Sequence, residues 1–237
     1  MKDQYFGDIN DYKKYGLLRA INKASNLQQL VAWMLTPNDD KTDGKFIGYL
    51  SEPSKWEKYD QPLYEELVRL VNGERKVSLI ESSGILGGCQ FFSEVVPDLA
   101  KNRQEWFANL LDASAIADLV FLDPDNGIEI KSKPYGHKDS SKFLYWREIK
   151  SLWESGKSLL IYQHFIREKR ESYVQRMLEA LSNEATGSTV QAFATPRVLF
   201  MIALQPHHQT HHEAIAASVN ASWGEQITHW DLNAPNK

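Results

Sequence analysis

Three runs constrain this chain most: Leu30-Val31-Ala32-Trp33-Met34-Leu35, Ala117-Asp118-Leu119-Val120-Phe121-Leu122 and Ser158-Leu159-Leu160-Ile161-Tyr162-Gln163-His164. Each is nearly continuous in apolar residues over a length that suits a strand. A strand with one wet face alternates polar and apolar positions. A strand without alternation needs cover on both faces, as strands do in parallel sheets flanked by helices. The segments between the runs have helical periodicity. Asp11 to Ala24 aligns Tyr15, Leu17, Leu18 and Ile21. Pro62 opens a helix through Tyr64, Leu67, Val68 and Val71, at a position where its missing N–H costs nothing. Asp98 to Ala113, Phe143 to Glu154 and Arg167 to Ser182 read as helices, and Glu213 to Trp223 closes the chain as another.

Lys76 to Glu81 reads as a second strand, followed by a loop rich in glycine (Gly84, Gly87, Gly88). Between Glu81 and Leu119 the sheet is either reduced or carries one more strand near Gln90-Phe91-Phe92. Val190 to Ala194 and Val198 to Leu204, separated by Thr195-Pro196-Arg197, read as an antiparallel pair. The predicted architecture is α/β: a Rossmann-like, methyltransferase-type three-layer sandwich with a mostly parallel sheet and an antiparallel edge pair. One domain over residues 1–237 is expected, with the polar stretch 41–61 as an insertion or lid.

A chain of 237 residues can bury a large interior without covalent staples, and its single cysteine, Cys89, excludes an intrachain disulfide or a thiolate-rich metal site. No run is long enough to span a bilayer, and Met1 to Tyr5 lacks the apolar stretch of a signal peptide, so a cytoplasmic protein with no membrane partner is expected. The net charge of −4 argues against tight indiscriminate binding of polyanions. Two basic groups, Lys13, Lys14 and Arg19, and Arg167, Lys169, Arg170 and Arg176, read first as solvated helix faces. Most of the seven tryptophans belong to the core, with Tyr145 and Trp146 the aromatic pair best placed to wall a substrate.

Asp123-Pro124-Asp125-Asn126-Gly127 turns sharply from the end of the second run. Ligands of open α/β sheets bind just beyond the carboxyl ends of the strands, so this turn is the predicted centre of a site. A strand-end carboxylate and the following proline carbonyl can accept from the N–H groups of an exocyclic amine and raise the electron density on its nitrogen. Asp123 and Pro124 fit those roles, with Asp125, Asn126 and His164 facing the substrate. Glu81, ending its predicted strand, fits an acceptor for ribose hydroxyls.

The turn resembles the Asp-Pro-Pro-aromatic loop of amino-methyltransferases, with Asp125 and Asn126 where that family has its second proline and its base-stacking aromatic. The opening Phe6-Gly7-Asp8-Ile9-Asn10-Asp11-Tyr12-Lys13-Lys14-Tyr15 is similar to the Gly-x-x-x-Asp-x-x-Lys-His start of the bacterial 23S ribosomal RNA adenine-N6 methyltransferases. Gly7, Asp11 and Lys14 are in register, and Tyr15 replaces the histidine. The resemblance implies an S-adenosylmethionine cofactor served by Lys14, with Asp11 as its orienter, and an RNA or DNA acceptor. Several stretches, among them Lys142 to Trp146 and Leu159 to Phe165, also resemble a family of uncharacterised bacterial proteins, which implies no activity. After Leu35 the chain has Thr36-Pro37-Asn38-Asp39-Asp40 where a methyltransferase normally has a glycine-rich turn.

Two other readings use the same residues. Asp123, Asp125 and Glu129 can hold Mg²⁺ in a phosphoesterase or nuclease, with Glu129-Ile130-Lys131 similar to the Glu-x-Lys element of restriction-type nucleases. A methyltransferase-fold protein without turnover is the third. His164 is either a base or a structural imidazole, and His207 to His212 reads as an exposed polar run.

Overall fold

A computed structural model describes residues 1–39, 44 and 46–232. The three continuous runs form β1 (Gln29–Ala32), β3 (Leu119–Leu122) and β4 (Ser158–His164), and a short β2 (Gln90–Phe92) fills the place left open by the glycine-rich loop. These four strands are parallel, in the order β2-β1-β3-β4. The sheet continues antiparallel through β6 (Val198–Leu204), β5 (Thr189–Ala194) and β7 (Thr228–Asp231). The antiparallel part is therefore larger than an edge pair: β6 runs opposite to both β4 and β5, and β7 adds a further edge. Thr228-His229-Trp230-Asp231 is polar and partly exposed, which hides it from any search for apolar runs, and it extends the chain beyond the helix expected to close it.

Side chains alternate across the sheet. Val31, Trp33, Leu119, Phe121, Leu160, Tyr162, Phe200 and Ile202 pack under α1 (Ile9–Ser25), α3 (Gln61–Val71) and α8 (His212–Trp223). Leu30, Ala32, Val120, Leu122, Leu159, Ile161 and Met201 pack under α5 (Ala100–Ala113), α6 (Trp146–Glu154) and α7 (Arg170–Glu184). Helices thus cover both faces, an arrangement compatible with a Rossmann-like sandwich. Burial of both faces is why these strands show no polar alternation in the sequence.

Lys76 to Glu81 is not a strand. Its centre lies in the short helix α4 (Ser78–Ser82), where Val77 and Ile80, three residues apart, are buried while Ser78 is exposed and Glu81 is partly exposed. A run this short cannot by itself distinguish helix from strand, and packing against the first layer decides for helix. Part of 41–61 lies outside the described residues. The remainder forms two short 3₁₀ turns around α2 (Pro53–Trp56) and joins the core: Tyr49 is buried and stacks on Tyr12 with ring centres 5.2 Å apart. Among the described residues no helix is long and apolar enough to cross a membrane.

Two features of this frame position the site. The chain leaves β1 toward β2 on one side, whereas β3 continues toward β4 on the other, so the carboxyl ends of β1 and β3 flank a topological switch point. The N-terminus of α1 lies over that end of the sheet. Asp8 starts the helix by accepting from the backbone N–H groups of Asn10 and Asp11, which satisfies two of its unpaired donors.

Candidate functional site

A cavity of about 300 Å³ opens at the carboxyl ends of β3 and β4 beneath the start of α1. Asp8, Asp11 and Lys14 line it from the helix, Asp123, Pro124, Asp125 and Asn126 from the β3 turn, and Tyr162 and His164 from β4. Phe46 also reaches it. Tyr162 and His164 are two residues apart on one strand and therefore face the same way, with their rings edge to face at 5.1 Å.

Lys14 is the hub. Its ammonium lies 2.6 Å from Asp123 Oδ2 and 2.9 Å from Asp11 Oδ1, and all three side chains are about 3 % exposed. Asp11 Oδ2 also accepts from Tyr15 OH at 3.1 Å and from the Gly7 N–H at 3.0 Å. The Lys14 ammonium further lies 5.1 Å from the centre of the Tyr162 ring. Burial alone would lower the Lys14 pKa, but Asp11 and Asp123 together hold it above its ordinary value, so the ammonium stays charged. Burial raises the Asp123 pKa against the pull of Lys14. Asp8, buried and facing Asp11, is raised to about 6. The Tyr15 phenol thus holds the same Asp11 that contacts Lys14.

The β3 turn is fixed from several sides. Asp123 N–H donates to Ala32 O at 3.1 Å, and the Met1 amine donates to Asp123 O at 3.1 Å and Met34 O at 3.2 Å. Ile128 N–H donates to Gln163 Oε1 at 2.6 Å. Gly127 has φ +87°, and a Cβ there would overlap the Gln163 amide, so this position needs glycine. His164 Nε2 lies 3.1 Å from Asp125 O. A carbonyl only accepts, so Nε2 carries the proton and Nδ1 the lone pair. Burial lowers the His164 pKa, which favours this neutral ring. Its clearest contact is therefore to the backbone of the turn.

Asp125 differs from its neighbours. Its side chain is 4 % exposed, and Lys2 stands 3.3 Å from Oδ2. Oδ1 is buried with no hydrogen-bond partner among the described residues. A buried carboxylate oxygen without a donor is costly unless a ligand supplies one.

Asp11, Lys14, Asp123, Pro124, Asp125, Asn126 and His164 thus share one cavity. Glu81 does not line it. From α4 its Oε1 accepts from Trp33 Nε1 at 2.8 Å, so the strand-end role expected for it fails along with the strand. Glu129 is also drawn away: its Oε1 accepts from the N–H of Trp146 at the start of α6, 2.9 Å away. The trio Asp123, Asp125 and Glu129 therefore does not converge, and the first two already face lysines. Tyr145 is buried with its hydroxyl on Lys133 O, and neither it nor Trp146 lines the cavity. His208, expected in an exposed run, is buried with Nδ1 2.9 Å from Ser158 Oγ. Asp8 and Tyr162, not singled out from the sequence, were accessible to a helix-capping rule and to the two-residue strand period. A larger cleft of about 500 Å³ at the other end of α1 contains the Arg19–Asp60 ion pair and none of these groups.

The turn after β1 lacks glycine, yet Met34 has φ +47°, the left-handed conformation that glycine usually supplies. Beside the cavity, Arg197 stacks on Phe46 at 4.2 Å, and Lys13, lowered to about 8 by burial and by Arg197, lies over the Trp56 ring. No carboxylate among the described residues forms an ion pair with either cation.

A scan against protein-family models gives no match for this chain, and a search of curated proteins gives none.

Proposed function

We propose that this chain is an S-adenosylmethionine-dependent methyltransferase whose acceptor is an amine of a nucleic-acid base. The observation that carries the reading is the junction of Lys14 with Asp11 and Asp123 at one cavity. Two sequence segments more than 100 positions apart, each similar to a methyltransferase element, meet there through the 2.6 Å contact of Lys14 with Asp123. The strand order supports it as well: an antiparallel β6 inserted between the parallel β4 and β5 is the pattern of that class of Rossmann fold.

The lining suits the cofactor's methionine end. Asp8, Asp11 and Asp123 provide acceptors for an ammonium and compensation for a sulfonium, Lys14 holds Asp11 and Asp123 in place, and Tyr162 and Phe46 provide aromatic faces. Bound there, the cofactor supplies an electrophilic methyl group. The chain's own residues prepare the acceptor: Asp125 Oδ1 and the Pro124 carbonyl accept from the amine N–H groups, which localises the lone pair on nitrogen. Asp123, held by Lys14, keeps the turn charged without swinging into the cavity. Because Lys14 occupies Asp123 Oδ2, the proton lost from nitrogen goes to Asp125 or to water. Arg197, exposed where it stacks on Phe46, would meet a phosphate of the acceptor strand.

The test is twofold. S-adenosylmethionine or S-adenosylhomocysteine at about a hundredfold over Kd should raise the melting point by roughly 5–10 °C. A labelled methyl group should pass to RNA or DNA, with transfer lost and cofactor binding kept in Asp125→Asn. No shift with either compound at about 1 mM, together with no transfer, would overturn the proposal.

A further inference from the structure

At the far edge of the sheet, away from the cavity, His229 and Asp231 project from the same face of β7, two residues apart, toward His212 at the first turn of α8. Donor atoms of these three side chains all lie within 4.8 Å of one another. We propose that His212, His229 and Asp231 form a binding site for a divalent metal of the zinc class, joining the edge strand to the helix that packs beside it.

Three observations carry this. The first is distance: His212 Nε2 stands 3.2 Å from Asp231 Oδ2. Bonds of about 2.0–2.2 Å at tetrahedral angles place two donors on one zinc ion roughly 3.3–3.5 Å apart, so this pair already spans one edge of the polyhedron. The second is an unmet need, because His212 Nε2 is buried and makes no well-directed hydrogen bond, even to the carboxylate beside it. A nitrogen and an oxygen at this separation are close enough to bind one ion between them. The third is the outer layer. Gln191, fully buried on β5, pairs its Oε1 with His229 Nε2 at 2.7 Å and donates its Nε2 to the His212 carbonyl at 3.2 Å. A ligating imidazole characteristically gives its other ring N–H to such an acceptor, which fixes the tautomer and leaves Nδ1 with the lone pair.

Two imidazoles and one carboxylate select zinc, nickel, cobalt or copper over magnesium or calcium, which take oxygen donors. Three protein ligands leave a fourth position for water, so the ion would brace β7 against α8 and remain open on one side.

The experiment is a Zn²⁺ titration of the full chain against a chromophoric chelator, with Co²⁺ absorption as the geometric readout. One equivalent is expected to bind, with the visible band of four-coordinate Co²⁺. Asp231→Asn and His229→Ala should each weaken binding at least about tenfold, while His207→Ala/His211→Ala, in the neighbouring histidine-rich turn, should leave it unchanged. Binding weaker than about 10 µM in the unaltered chain would overturn the proposal. So would less than a tenfold loss in the two ligand variants, or a loss that follows the His207/His211 variant instead. Far-ultraviolet circular dichroism of Asp231→Asn, an exchange nearly equal in size at a partly exposed position, separates ligand loss from unfolding.

Discussion

Replacing Lys14 with methionine tests the energetics of the site most directly. The two side chains have similar length, so the cavity left behind is small and the charge is the main loss. Lys14 lies between Asp11 at 2.9 Å and Asp123 at 2.6 Å, with every partner about 3 % exposed, so water cannot replace the ammonium. Removing one partner of a buried pair costs about 3–5 kcal/mol. Two carboxylates lose their cation here, but one can take up a proton, which keeps the cost from doubling. In a chain of this size each kcal/mol is worth about 2–4 °C, so the variant should melt roughly 6–20 °C lower at neutral pH. The pH dependence has a definite sign. Burial already raises the Asp123 pKa, and without Lys14 it must rise further. A group with a raised carboxyl pKa binds its proton more tightly when folded, so the penalty is full at high pH and fades as the pH falls through the folded value. Thermal unfolding of Lys14→Met between pH 5 and 8 should therefore show a deficit that shrinks toward acid, and adding Asp123→Asn should recover at least half of it at neutral pH. A neutral-pH melting point within about 2 °C of the parent, or a deficit independent of pH, would refute the argument.

Two further changes probe the frame. Gly16→Ala on α1 should gain about 1 kcal/mol of helix propensity, yet the added Cβ would overlap the Trp223 ring of α8, an overpacking that costs about 1–3 kcal/mol; net destabilisation in urea is expected, and a more stable variant would show that the two helices can separate freely. Asp8→Asn keeps the cap on α1 and removes a carboxyl raised to about 6; the parent should lose stability as pH rises from about 4 to 6, the variant should lose less, and parallel curves would contradict the assigned burial.

The sequence carried much of the site because the site is built from local signals. Asp123 to Gly127 is visible as a turn ending a doubly buried strand, Asp11 and Lys14 as neighbours one helical turn apart, and His164 as a strand end. These signals depend on burial and on backbone conformation, which adjacent residues largely determine. The contacts that make them a site are not local. That Lys14 reaches Asp123, that Glu129 turns away to cap α6, and that Glu81 serves Trp33 follow only from how the helices settle on the sheet.

Apolar patterning along the chain determined the class of fold and the strands buried on both faces, since continuous burial leaves its mark residue by residue. Tertiary packing decided what patterning left ambiguous. Ser78 to Glu81 went to a helix rather than a strand because a five-residue element takes whichever form its neighbours can cover, and polar β7 became an edge because β5 had backbone groups left to pair. The pairing of Lys14 with Asp123 was likewise decided by packing, because that buried ion pair exists only where α1 and the β3 turn exclude water together.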